Sequence, residues 1–292
     1  MKFSVKEFRE WPNKSITLLG MSGVGKTHLS SKLRNKNWFH YSGDYRIGTR
    51  YLDEPIRDII KQHAMNVPIL KQLLRRDWIT FQNNIKVDDL GPVLSFVGKL
   101  GNPDLGGVPL PEFVERQALY RQAEIDAMLD VPDFIRKAHE VYGYPHFVND
   151  VGGSLCELEE SSVISLLVKH TLILYIKVTT DEEEHEIIQR AQDDPKPLYY
   201  RPRFLDEHLQ RYLQEKNLQF AAEVEPDEFT RWVFPPLFRS RIPRYDAIAE
   251  PHGYTVTSRE VDAVRDDADF LDLLESVLGR QPVLPDISSS CR

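Results

Sequence analysis

Residues 16–29 read ITLLGMSGVGKTHL. A short apolar run passes through a glycine-punctuated bend straight into a helical pattern. Gly20, Gly25, Lys26 and Thr27 fill the four fixed positions of G-x-x-x-x-G-K-[ST], with Gly23 as an additional glycine. Glycines let the backbone bend so that several N–H groups converge on phosphate oxygens, at the positive end of the helix that follows. Lys26 can reach the β- and γ-phosphates, and the Thr27 hydroxyl can ligate Mg²⁺. The stretch from Gly20 through Ser22, Gly23, Val24 and Gly25 to Lys26, Thr27 and His28 is therefore the expected nucleotide-binding segment. His28 itself is expected to pack locally.

Outward from this loop, β-prone runs at residues 16–19, 38–41, 146–149, 171–178 and 254–257 alternate with helical patterns. That alternation predicts an α/β fold, a P-loop NTPase three-layer sandwich with a parallel sheet of about five strands. Helices are expected over residues 26–34, 181–192, 204–215 and 259–278, the second opening on Asp181 with three glutamates in its first turn. Residues 54–144 behave differently. Helical patterns at 55–65, 68–83 and 111–129 each carry a proline near their start, with the loop-like LGNPDLGGVPLP at 100–111 between them. The reading is a helical insertion after strand two, flanked by a nucleotide-binding core at 1–53 and 145–280. Residues 281–292 are expected to form a flexible tail.

Composition narrows the function classes. In 292 residues, 41% are hydrophobic and 28% charged, as in ordinary globular chains. A formal charge of -8 argues against a general nucleic-acid binder. Cys156 and Cys291 alone supply no disulfide framework. The N-terminal MKFSVKEFREWPNK lacks a signal-peptide core, and the most apolar run, residues 163–178, is broken by Lys169 and His170. A cytoplasmic protein without a membrane partner is expected.

In open parallel sheets, ligands sit at the carboxyl ends of the strands. After strand two comes HYSGDYRIGTRYL, which sets Asp44 on the same sheet edge as the phosphate loop. A carboxylate there can accept the proton of an attacking hydroxyl; alternatively Asp44 caps a turn. After strand three comes HFVNDVGGSL. Asp150 can hold a water on Mg²⁺, and Gly152 and Gly153 can bring backbone amides to the γ-phosphate. The string also fits the D-x-x-G of GTPases, but no N-K-x-D segment follows, so ATP is the expected nucleotide.

The order of these features resembles P-loop small-molecule kinases of the shikimate kinase-like and nucleoside monophosphate kinase-like group. IIQRAQDDPKPLYY is similar to the lid of that group, with Arg190 at the lid arginine. FRSRIPRYDAIAEPHGYTV is similar to its terminal R-x-P-x-Y segment, at Arg241, Pro243 and Tyr245. The resemblance implies that Lys26 and Thr27 handle ATP and Mg²⁺ and that Asp44 meets the substrate hydroxyl. It also implies that Gly152 and Gly153 line the substrate side, that Arg190 closes over the phosphates, and that Arg241 holds an anionic substrate group. It covers the nucleotide core only. The group pairs two acids after strand two where this chain has Ser42 and Asp44, its following glutamate is matched by Gly48, and residues 54–144 replace a short substrate region. Shikimate itself is not the expected acceptor.

Three functions compete. The leading one is an ATP-dependent kinase acting on a small molecule, with Lys26, Asp44 and Arg190 as catalytic residues and Thr27 and Asp150 at the metal. The second is an ATPase or nucleotide switch whose insertion binds a macromolecular partner. The third is a regulator without chemistry, suggested by the missing second acid. His139, His146, His170 and Cys156 have no metal-ligand spacing, and no zinc site is expected.

Overall fold

The computed structural model describes residues 2–34 and 36–280, so the tail expected at 281–292 lies outside the described residues. Helix α1 (Val5–Glu10) precedes strand β1 (Ser15–Leu19), α2 (Lys26–Leu33) and β2 (Trp38–Ser42). Between β2 and β3 come α3 (Gly43–Arg46), a π-helical turn (Ile47–Tyr51), α4 (Asp53–Ala64), α5 (Pro68–Leu74), α6 (Gly91–Val97), α7 (Leu110–Leu129) and α8 (Val131–Glu140). Strand β3 (His146–Asp150), α9 (Ser161–His170), β4 (Leu172–Lys177), α10 (Asp181–Asp193), α11 (Pro202–Lys216) and α12 (Pro226–His252) follow. The described chain closes with β5 (Gly253–Thr257), α13 (Ser258–Asp262) and α14 (Asp267–Arg280).

All five strands are parallel, in the order β2-β3-β1-β4-β5. Every residue of the central β1 is buried, which requires cover on both faces. Alternation along β2 shows the two covers. Phe39 and Tyr41 meet Phe134 of α8, and Trp38, on the opposite face, meets Phe270 of α14. The chain is a three-layer α/β P-loop fold, as the sequence predicts. The register sets Ser42 and Leu18 opposite Asp150, so β1, β2 and β3 deliver their following loops to one edge.

The helices differ from expectation in places with clear causes. The helix expected over 68–83 ends at Leu74, where Asp77 takes a φ of 53° and the Trp78 amide closes on the Leu73 carbonyl at 3.0 Å. The single helix expected over 259–278 is two, because the Asp266 carboxylate caps a new start by accepting from the Asp269 amide at 3.0 Å. Helices α1, α3, α6, α8, α9 and α12 have no counterpart among the expected elements. Helix α12 runs through four internal prolines. Each removes one donor, yet burial of Phe229, Val233, Leu237, Arg241, Tyr245 and Ala249 at four-residue spacing holds the helix together.

The core is divided. The main cluster wraps the sheet, and a second cluster joins Leu100, Val108 and Phe113 with Tyr200, Phe204, Leu209, Tyr212, Phe229, Val233 and Leu237. Part of the region after β2 thus packs on α11 and the first half of α12. Gly48 has no room for a side chain: a Cβ there would lie 2.5 Å from Val93 Cγ2.

Candidate active site

The phosphate loop is shaped by steric necessity. At Gly20 (φ +147°) a Cβ would stand 2.7 Å from the Ile176 carbonyl oxygen, so β4 packs directly under the turn. Gly23 and Gly25 take φ of 89° and 98°, and α2 starts immediately after Gly25. Lys26 is buried, and its ammonium donates to the carbonyls of Gly20 at 2.7 Å and Met21 at 2.9 Å. Burial lowers its pKa, while Asp150 and Asp44 act in the opposite sense. The structure therefore holds an amine inside the loop and two acidic side chains beside it.

Asp44 lies in the first turn of α3. The cap of that turn is Ser42, whose hydroxyl accepts from the Tyr45 amide at 3.3 Å, so capping does not occupy Asp44. The Tyr120 hydroxyl approaches Asp44 Oδ1 at 3.4 Å. Burial, and then Asp150, push the Asp44 carboxyl up to about 6, against the opposing pull of Lys26 and the Tyr120 hydroxyl. Asp150, at the tip of β3, lies 3.6 Å from His40 Nε2. The turn after β3 touches both sides of the site. A Cβ on Gly153 would meet the Ser22 amide nitrogen at 2.9 Å, and one on Gly152 would meet Asp44 Oδ1 at 3.1 Å.

The same Gly152 position is 2.7 Å from Glu124 Oε1. Glu124 comes from α7, is fully buried, and accepts from the Ser154 hydroxyl through Oε2 at 2.6 Å. Its Oε1 has no hydrogen-bond partner among the described residues. Burial pushes this carboxyl up to about 8, opposed by the Ser154 hydrogen bond and reinforced by Asp44. At neutral pH Glu124 is thus protonated. Ser154 occupies Oε2, and Oε1 is turned toward Gly152 and Asp44. A second acid therefore stands beside Asp44, delivered from another helix and not from the loop after β2. Sequence reasoning missed it. The available signal was a glutamate on the buried stripe Phe113, Gln117, Tyr120, Glu124 and Met128 of α7.

One cleft of about 970 Å³ links these parts. Its walls include the loop from Ser22 to His28, then Asp44, Asp150, Val151 and Gly153, with α10 (His185, Ile187, Arg190) and α13 (Ser258, Arg259, Asp262) at the far end. His28, expected to pack locally, is exposed on this wall. Arg190 is exposed and reaches back over the loop, its guanidinium 3.4 Å from the Gly23 carbonyl. Arg241 is buried and donates to the carbonyls of Gly153 at 2.8 Å and Tyr199 at 2.9 Å, with Nε 3.5 Å from Glu157. Tyr245 donates to the same Gly153 carbonyl at 2.6 Å and stacks on Tyr175. Arg241 and Tyr245 thus clamp the glycine turn from behind.

No known protein family and no curated protein matches the sequence. Among solved structures, shikimate kinase from Bacteroides thetaiotaomicron is similar at a TM-score of 0.40 and 17% identity, over 91% of this chain and 98% of that one. A likeness of that size assigns no activity. Among the described residues, no helix is long and apolar enough to cross a membrane.

The donor set suits a magnesium nucleotide. Among the described residues no group of three or more His, Cys, Asp or Glu forms a metal cage. Thr27 and Asp150 both face the cleft, and one hydroxyl with one carboxylate is a sufficient protein share for Mg²⁺, which keeps water and phosphate oxygens as its other ligands.

The buried Glu124 has a stability signature of its own. Its pKa is raised in the fold, so the stabilisation is complete below the ordinary glutamate value and is lost as pH rises to about 8. Glu124→Gln keeps the neutral shape at every pH. Thermal melts of the variant are expected to match or fall below the parent at pH 5 and to exceed it by several degrees at pH 9, from roughly 4 kcal/mol of relieved charge burial. Equal pH dependence in both proteins would show that Glu124 ionises freely.

Proposed function

We propose that this chain binds ATP with Mg²⁺ and transfers the terminal phosphoryl group to the hydroxyl of a small molecule seated at Asp44. The observation that carries the reading is the placement of Asp44, whose carboxyl burial pushes up to about 6, in the same cleft as the phosphate loop and Lys26. A base poised just below neutrality is ionised at neutral pH and still accepts a proton. The loop amides from Ser22 to Thr27 and the Lys26 ammonium bind the phosphates, Thr27 and Asp150 hold the metal, and Ile187 and Ser258 line the far end, which takes the nucleoside. The bound nucleotide supplies the phosphoryl group, and its metal neutralises charge. Asp44 accepts the hydroxyl proton, and neutral Glu124 keeps a second negative charge away from it. Arg190 covers the loop and limits water, which favours transfer over hydrolysis. Residues 54–144 shape the acceptor side through Tyr120 and Glu124.

Calorimetric titration with ATP and Mg²⁺ is expected to show one site per chain, with GTP taken up more weakly. The folded protein failing to take up either nucleotide would overturn the proposal.

One observation favours the second reading, an ATPase or switch with a macromolecular partner. Helix α5 buries none of its residues, and Val67, Ile69 and Trp78 around it are exposed. Hydrolysis that rises with a partner protein, with no phosphorylated small molecule formed, would favour that reading over the kinase.

A further inference from the structure

We infer that the corner between α4 and α5 is a docking surface for an anionic phospholipid membrane, which it touches without crossing. The inference is independent of the reaction at the phosphate loop.

The corner itself is apolar. Residues 64–70 read AMNVPIL and carry no charge, and α5 buries none of its residues. Ile69 is 58% exposed, and Met65 and Val67 are exposed beside it. Water is a poor solvent for such a group of side chains, so a bare apolar corner marks a contact. Cations flank it. On α4, Arg57 is paired with Asp53 and Lys61 with Asp58, at 2.9 Å in each case. Lys71, Arg75 and Arg76 make no ion pair among the described residues. With Met65 and Pro68 they line a recess of about 790 Å³ whose walls hold no acidic residue. A second recess, of about 480 Å³, shares Met65 and Arg75 with the first, so the two adjoin. Trp78 is 63% exposed, and the Arg76 guanidinium lies 4.8 Å from the centre of its ring.

Three unpaired cations around one recess call for phosphate groups. Apolar side chains beside them, with an exposed indole at the border, match the order of a lipid interface. Ile69 and Val67 would enter the acyl region, Trp78 the boundary, and Lys71, Arg75 and Arg76 the headgroup phosphates. Other occupants fit less well. A second copy docked face to face would set the same unpaired cations against one another. Nucleic acid would engage the cations and leave the aliphatic side chains in water. A stable protein interface takes about 800 Å² from each partner. Helix α5, with seven residues, is only about 10 Å long. The formal charge of -8 repels the rest of the chain from an anionic surface, so this basic corner would approach first. The contact is peripheral, since no described helix can span a bilayer.

The test is flotation of the full chain with lipid vesicles. Vesicles of mixed phosphatidylcholine and phosphatidylglycerol are expected to carry at least about tenfold more protein than phosphatidylcholine alone, and added salt lowers the difference. Arg75→Glu combined with Arg76→Glu removes the association, and the variant melts as the parent does because both side chains are exposed. Ile69→Ser lowers the association by about tenfold with every charge intact. Tryptophan emission of the parent shifts to shorter wavelength on the mixed vesicles, and Trp78→Phe abolishes the shift. Equal uptake by both kinds of vesicle, or association that survives the charge reversal, would overturn the inference. Two further results also overturn it. Inorganic phosphate bound through Arg75 and Arg76 without vesicle association would assign the recess to a soluble anion. Association with neither vesicle nor phosphate would return the exposed corner to a protein partner.

Discussion

Asp44→Asn is expected to lower phosphoryl transfer by about 10²- to 10⁴-fold, the range for loss of a general base, and to leave ATP affinity nearly unchanged. The amide keeps the shape and the approach of the Tyr120 hydroxyl but accepts no proton. The fold should not suffer, because the change removes a negative charge that burial and Asp150 already disfavour. A pH signature accompanies the loss. The Asp44 carboxyl is raised to about 6, so it is protonated and inactive below that value and ionised above it. Transfer by the parent therefore rises with pH through about 6 and then levels, and the variant loses this rise. Single-turnover transfer of labelled phosphate between pH 5 and pH 8 reads both effects. Transfer that survives the substitution with the same acid limb would assign the proton to another group.

Lys26→Met is expected to reduce turnover by about 10²- to 10³-fold, as for removal of one preorganised charge from a transferring group. It should also weaken ATP binding by about tenfold or more. Methionine fills the volume of the buried stem and supplies no donors, so the carbonyls of Gly20 and Met21 lose their partner. Transfer and hydrolysis fall together, because both need the phosphates held. The residual activity carries a further mark. Lys26 pulls the Asp44 pKa down, so its loss moves the acid limb of the rate profile to higher pH. Calorimetry with ATP and Mg²⁺, together with the pH profile of the residual rate, checks both parts. An unshifted limb would mean that Lys26 and Asp44 do not sense each other.

Much of this site could be read from local pattern. A strand, a glycine bend and a helix start are short-range events, so the phosphate loop and the five strands emerged at nearly their observed bounds. Because parallel strands deliver their ends to one edge, Asp44, Asp150 and the Gly152–Gly153 turn followed from their places after strands two and three. Arg190 was expected from the resemblance of residues 187–200 to a lid, and it reaches the loop at the Gly23 carbonyl. Helix α12 was not expected: each of its prolines argues locally against a helix, although the apolar residues at four-residue spacing from Phe229 to Leu237 were legible.

Tertiary contact decided the rest. Glu124 is far from Asp44 along the chain, and nothing in α7 says that its carboxyl will share a glycine turn with the residue after β2. Nor does any local pattern show that Arg241, a natural anion holder by type, will direct its donors to the carbonyls of Gly153 and Tyr199. The reason is physical. Backbone geometry follows from steric preferences among neighbours, whereas the charge state and free hydrogen-bonding capacity of a side chain depend on which distant groups displace water around it. Local sequence was sufficient for the cradle; the proton arrangement beside it required the packed helices.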